Sequence, residues 1–330
     1  MSLFTSNSKY RHTVIPAIVF IACFISLNIA VKFLPDGTFM QSFRDHTGNA
    51  ERNGKTAEII LFGDSRATGF HPVFFERPAL TLATPNTTIL YAYFLFREIR
   101  QRNATHPKLM VLCLGSNNYN DNGIFAKRDF AVRVLPEFND LADFATTTGG
   151  IPYAVDGAFA KLFPVYGYRM ELRSPDELLP IIKKIFRKQP PAPNIEAAPD
   201  LTGSAAPVRN ALDDRNYLEI YRRSVLNDFK ISAFHMEILK KMIAAAQAEK
   251  IKVLVVELPM EEMMLRLHEN LADQLFQKSL TELLEKYKVP LLDLRYKNRY
   301  EFNDLNHLSA RGLRDLTRDH INPRIEILLR

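Results

Sequence analysis

Three polar segments carry residue types that together suit acyl transfer: Gly63-Asp64-Ser65-Arg66, Gly115-Ser116-Asn117-Asn118 and Asp304-Leu305-Asn306-His307. A serine hydroxyl is a poor nucleophile until a base takes its proton. A neutral imidazole can do so near pH 7, and it needs an orienting acceptor on its other nitrogen. Ser65 is therefore the expected nucleophile and His307 its base. Asp304, three residues before the histidine, can reach back to that second nitrogen. A tetrahedral intermediate also requires donors aimed at its oxyanion. The candidates are the Ser65 backbone N–H, the Asn117 side-chain amide, and a backbone N–H of Ala83 or Thr84 in the stretch Leu82-Ala83-Thr84-Pro85.

Each segment also has a plainer reading. Gly63-Asp64-Ser65 could be a turn whose polar side chains cap a helix, Asn117 and Asn118 could be turn residues, and Asp304 could be a helix N-cap. Asp64 reads as a structural hydrogen-bonding residue. Arg66 either binds an acidic group or faces solvent. His235, His268 and His320 fall in helical stretches and read as surface or packing residues.

What favours the chemical reading is where the segments sit. Continuously apolar runs at 57–62, 109–114, 251–257 and 289–293 read as buried strands. Helical patterns fill 87–102, 233–249, 260–287 and the chain from about 310. Apolar strands alternating with helices predict an α/β fold with a parallel sheet covered on both faces. Ligands bind such sheets at the carboxyl ends of the strands, so segments remote in sequence would meet at one rim. Between the second and third runs, 120–235 reads as a largely helical insertion. It contains a Pro- and Ala-rich flexible loop at 189–208, and its aromatics at 151–168 read as its own core. Lys183, Lys184, Arg187 and Lys188 suit the solvated face of an amphipathic helix.

The blocks GDSRATG, GSNN and DLNH, in that chain order, resemble those of the SGNH (GDSL-type) hydrolase superfamily. The resemblance covers roughly 57–120 and 232–325. It implies a flavodoxin-like three-layer α/β/α fold, with Ser65 as nucleophile, His307 as base, Asp304 as its partner and Asn117 as an oxyanion donor. Two departures stand out: the family's second block supplies a glycine N–H where this chain reads TLATPNTT, and its third block prefers an aspartate where this chain has Asn118. Together with a membrane anchor, the chain resembles envelope-facing members linked to glycan or teichoic-acid acylation.

That anchor is read from Thr13–Val31, an uncharged apolar run that would span roughly 28 Å as a helix. The expected organisation is a cytoplasmic N-terminus at 1–12, a transmembrane anchor at 13–33, a connector at 34–56 and the α/β domain at 57–330. Lys9 and Arg11 before the run keep the N-terminus in the cytoplasm. The domain would then face the periplasm or the extracellular side of the inner membrane. The net charge of +6 is spread along the chain and predicts no nucleic-acid partner. The chain shows no phosphate-binding loop, dinucleotide fingerprint or zinc spacing, so no cofactor or metal is expected.

The function these readings predict is a membrane-anchored serine esterase or O-acyltransferase acting on an envelope polysaccharide, with a membrane acyltransferase as a candidate partner. A non-catalytic scaffold of the same fold and a lipase-like esterase on membrane lipids are the alternatives.

Overall fold

The computed structural model describes residues 8–31, 38–85, 87–124, 131–167 and 211–330. The loop at 189–208 and the basic cluster at 183–188 lie outside the described residues, as does part of the N-terminal segment.

At the centre is a five-stranded parallel sheet in the order β2-β1-β3-β4-β5. The strands are β1 (Ile59–Gly63), β2 (Ala79–Thr81), β3 (Leu109–Leu114), β4 (Lys252–Glu257) and β5 (Leu291–Asp293). In a strand, successive side chains point to opposite faces, and here both faces are covered. Ile60, Phe62, Met110, Leu112 and Val255 pack under α3 (Ile89–Gln101), α9 (Ala233–Ala248) and α11 (Gln274–Tyr287). Ile59, Leu61, Val111, Leu254 and Val256 pack under α12 (Ala310–Leu316) and α13 (Asn322–Leu329). This is why the strands are apolar without alternation. The predicted α/β architecture with a parallel sheet is observed.

The sheet has one strand more than the apolar runs predicted. β2 is a three-residue edge strand with only Leu80 buried. An edge strand pairs on one side only, so it needs no long apolar run. The chain steps from β1 out to β2, then back across to β3 on the other side of β1. Strand order reverses there, which opens the crevice at the carboxyl ends of β1 and β3.

The stretch expected as a connector is largely helical: α2 (Thr38–Asn53) packs on α3 and reaches Thr84 beyond β2 through His46, with Phe43 and Ala50 joining the core. The insertion is helical where described, comprising α4 (Ala131–Val134), α5 (Phe138–Thr146), α6 (Ile151–Leu162), α7 (Pro164–Gly167) and α8 (Ala211–Ser224). Its two ends are stitched together by the buried Asn120. The Asn120 amide donates to the Val225 carbonyl (2.9 Å), and its oxygen accepts the Lys230 N–H (2.9 Å). The insertion thus leaves and re-enters the fold at one point, directly after the Asn117 segment.

The apolar N-terminal run forms α1 (Ser8–Val31), a helix of 24 residues. Side chains are described for 16–29, and all but Asn28 are exposed. Among the described residues no helix is long and apolar enough to cross a membrane.

Candidate active site

β1 ends at Gly63, and the chain turns sharply through Asp64 and Ser65. The turn is tight: a Cβ on Gly63 would come within 2.5 Å of the Ala67 Cβ and 2.9 Å of the Cys113 Cβ. Ser65 is left half-buried at the rim.

The Asp304–His307 loop arrives from the far end of the chain. An antiparallel bridge between Phe302 and Leu308 closes its base. Inside the loop, Asp304 Oδ1 accepts the backbone N–H groups of Asn306 (2.7 Å) and His307 (2.8 Å). The helix that follows is capped by Ser309, whose hydroxyl accepts the Gly312 N–H (3.0 Å). Asp304 is therefore not the helix cap; it holds the loop and the imidazole together.

These two segments meet. His307 Nε2 lies 2.9 Å from Ser65 Oγ, and His307 Nδ1 lies 2.7 Å from Asp304 Oδ2 and 2.9 Å from Oδ1. Burial alone would raise the Asp304 carboxyl. The His307 ring and the two backbone N–H groups outweigh burial and hold it below the usual carboxylate range. An ionised carboxylate only accepts, so Nδ1 carries the hydrogen and Nε2 is the acceptor facing the Ser65 hydroxyl. That tautomer is the one in which the imidazole can draw off the hydroxyl proton.

Asn117 stands at the end of β3, in a short 3-10 turn over Ser116–Tyr119, across the crevice from Ser65. A buried chain of hydrogen bonds orients it. Asn117 Nδ2 donates to Asn118 Oδ1 (3.1 Å), and Asn118 Nδ2 donates to Asp64 Oδ2 (2.7 Å). Asp64 in turn accepts both Nε (3.2 Å) and Nη2 (3.0 Å) of Arg66, and the Arg66 backbone N–H (3.0 Å). Burial would raise the Asp64 carboxyl, but Arg66 overcomes it and holds the group ionised. Nδ2 of Asn117 carries two hydrogens, so one remains after the bond to Asn118.

Several sequence expectations change here. Arg66 neither faces solvent nor awaits an acidic ligand; it is 4% exposed and paired with Asp64. It passes so close to Gly115 that a Cβ there would sit 1.8 Å from Arg66 Nη2, which accounts for the glycine. Thr84 is not available as an oxyanion donor, because its N–H is spent on the Gly63 carbonyl (3.0 Å) as β2 pairing continues past Thr81. Ala83 is half-buried, and its carbonyl oxygen accepts from the His46 ring of α2. The next residue, Pro85, has no N–H to offer. The second-block donor expected at Ala83 or Thr84 is therefore not supplied by Thr84. The Ser65 N–H, the Ala83 N–H and the Asn117 amide remain as candidate donors.

Two further residues complete the surroundings, and of these His268, read from the sequence as a surface or packing residue, is a packing residue. His268 of α10 (Glu262–His268) is fully buried beneath Arg66, with Ser116 Oγ 2.8 Å from its Nδ1. Burial, then Arg66 and Arg295, push its pKa down to about 3, so the ring is neutral. Tyr217 of α8 packs with Leu305 in a small core shared by the insertion and the Asp304–His307 loop. Burial first, then the charge of Asp304, raises its phenol.

No family model and no curated relative matches the chain. Among solved structures it is similar to a candidate acylhydrolase from Bacteroides fragilis, at 14% identity over 87% of this chain and 97% of that one, with a TM-score of 0.41. It is also similar to a GDSL-like lipase from Bacteroides thetaiotaomicron, at 13% identity over 88% of this chain and 98% of that one, with a TM-score of 0.39. A likeness this loose carries no argument about chemistry, so the functional reading stands on the geometry above.

Proposed function

We propose that the protein is a serine esterase or O-acyltransferase working through a Ser65 acyl-enzyme. The observation that carries this is the continuous relay from Ser65 Oγ through His307 to an ionised Asp304. His307 takes the hydroxyl proton as Ser65 attacks the ester carbonyl. The oxyanion is stabilised by the Ser65 N–H and the free hydrogen of Asn117. The protonated imidazole then hands its proton to the departing alkoxide, and water or an acceptor hydroxyl repeats the sequence in reverse to release the acyl group.

The finer reading is a membrane-anchored, envelope-facing enzyme acting on an acylated carbohydrate, with α1 as the anchor. Its support is the uncharged run Thr13–Val31, the helical form of that run, and the exposure of Ile18, Phe20, Ile21 and Phe24. Hydrolysis of acetyl esters by the purified protein tests the chemistry. Release of acetate should fall by several orders of magnitude in Ser65→Ala and in His307→Ala. Activity unchanged in both would remove the proposal and favour a scaffold role, which the missing second-block glycine also suits. Adding an oligosaccharide acceptor separates transfer from hydrolysis, and a preference for long acyl chains would redirect the substrate to lipids.

A further inference from the structure

Helix α6 is built the wrong way round for a surface helix. Its exposed residues are Ile151, Pro152, Val155, Phe159 and Leu162, all apolar. Ile151 and Leu162 are 63% and 65% exposed, and Val155 and Phe159 are each 49% exposed. At 100° per residue these four fall within an arc of about 80°. The charged residues of the same helix are tucked inward: Asp156 accepts from Arg133 Nε (2.7 Å) and from the Tyr166 hydroxyl, and Lys161 is half-buried. A helix that pairs its acid with a neighbouring arginine and turns an apolar stripe outward is built to be covered.

The stripe does not end at α6. Phe159 contacts Phe163 (ring centroids 6.0 Å apart), and Phe163 contacts Phe24 of α1 (5.7 Å). The stripe and the outer surface of α1 thus form one apolar surface. We infer that α6 lies in the lipid bilayer interface, its stripe among the acyl chains, as a second membrane contact beside α1. Twelve residues span about 18 Å, too short to cross a membrane and suited to lying in its plane. The helix also borders the rim that carries the site: Tyr153 stacks on Phe234 at the start of α9 (4.1 Å) and reaches Asp121, four residues beyond Asn117 (3.4 Å). Seating α6 would therefore fix which side of the domain faces the membrane. The choice of lipid as occupant rests on the reading of α1 as an anchor.

The chain has no tryptophan, so single tryptophans report cleanly. The full-length protein is reconstituted into phosphatidylcholine–phosphatidylglycerol vesicles with and without bromines on the acyl chains. The variants are Phe159→Trp, Leu162→Trp, Phe20→Trp in α1, and Tyr296→Trp at an exposed site elsewhere. The expected result is blue-shifted emission and at least twofold quenching by brominated lipid at 159, 162 and 20, with none at 296. Quenching at 20 without quenching at 159 and 162 overturns the inference while the anchor stands; blue-shifted but unquenched emission there would mean that protein covers the stripe. Quenching at 159 and 162 but not at 20 supports the α6 contact and removes the anchor. No quenching at 159, 162 or 20 removes both.

Discussion

At the scale of single residues, the site divides into groups that face the reacting atoms and groups that aim them. Asp304 does two jobs with one carboxylate, holding the loop through backbone N–H groups and holding the His307 tautomer. Asp304→Asn replaces one acceptor oxygen with a donor and frustrates that tautomer. The expected loss in kcat is about 10⁴-fold with the fold retained, read from ester hydrolysis and circular dichroism together. Asn117→Ala should cost roughly 10²–10³-fold in kcat if its amide meets the oxyanion. Asn118 reaches the oxyanion only through Asn117, so Asn118→Ala should cost less in kcat, and the double variant should be no slower than Asn117→Ala alone. Additive losses would contradict that chain of dependence. Ser65, His307, Asp304 and Asn117 were legible because each follows a strand and their order matches a known set of blocks. The Asp64–Arg66 pair was not: opposite charges two residues apart say nothing about burial, and only the approach of Arg66 to Gly115 shows why both are enclosed.

At the scale of elements, the apolar runs located four of five strands: β1, β3 and β4 are covered on both faces, and the edge strand β5 still sets Leu291 and Leu292 against the two cores. β2 escaped because Leu80 is the one large apolar residue among its three, which leaves no run to read. The same oversight hid the fate of Thr84, since its N–H is consumed by pairing that continues from a strand the pattern does not show. α2 was hidden by composition, its polar surface being interrupted only by a few core contacts such as Phe43 and Ala50. The buried pair between β1 and β3 is an element-level brace. Arg66→Met leaves the Asp64 carboxylate enclosed without its partner, and the expected cost is about 3–5 kcal/mol in urea unfolding. A loss below about 1 kcal/mol would mean that water reaches Asp64 and the brace is weak.

At the scale of the whole molecule, buried neutral histidines set how stability responds to acid. The His268 ring falls from 6.5 to about 3, mainly through burial. The unfolded chain takes up a proton there below pH 6.5, while the folded chain does not until far lower pH. Stability therefore drops as pH falls through that window, by at most about 1.4 kcal/mol per pH unit. Between pH 7 and pH 5 this amounts to about 2 kcal/mol. His46, lowered by burial, adds in the same direction. Asp64 and Asp304 act further down. Their depressed folded values stabilise the protein above the ordinary carboxylate range, and that stability is lost as pH falls through them. Urea midpoints that stay level between pH 7 and pH 5 would contradict a buried neutral His268.

The central claim is that Ser65 is a chemically activated hydroxyl. The most direct measurement is covalent labelling of the folded protein by a fluorophosphonate, with the modified residue mapped by peptide mass spectrometry. The account predicts one adduct on Ser65, formed quickly in the wild type, absent in Ser65→Ala and strongly slowed in His307→Ala. A folded wild-type protein that takes no label at Ser65, or labels as fast without His307, would contradict it.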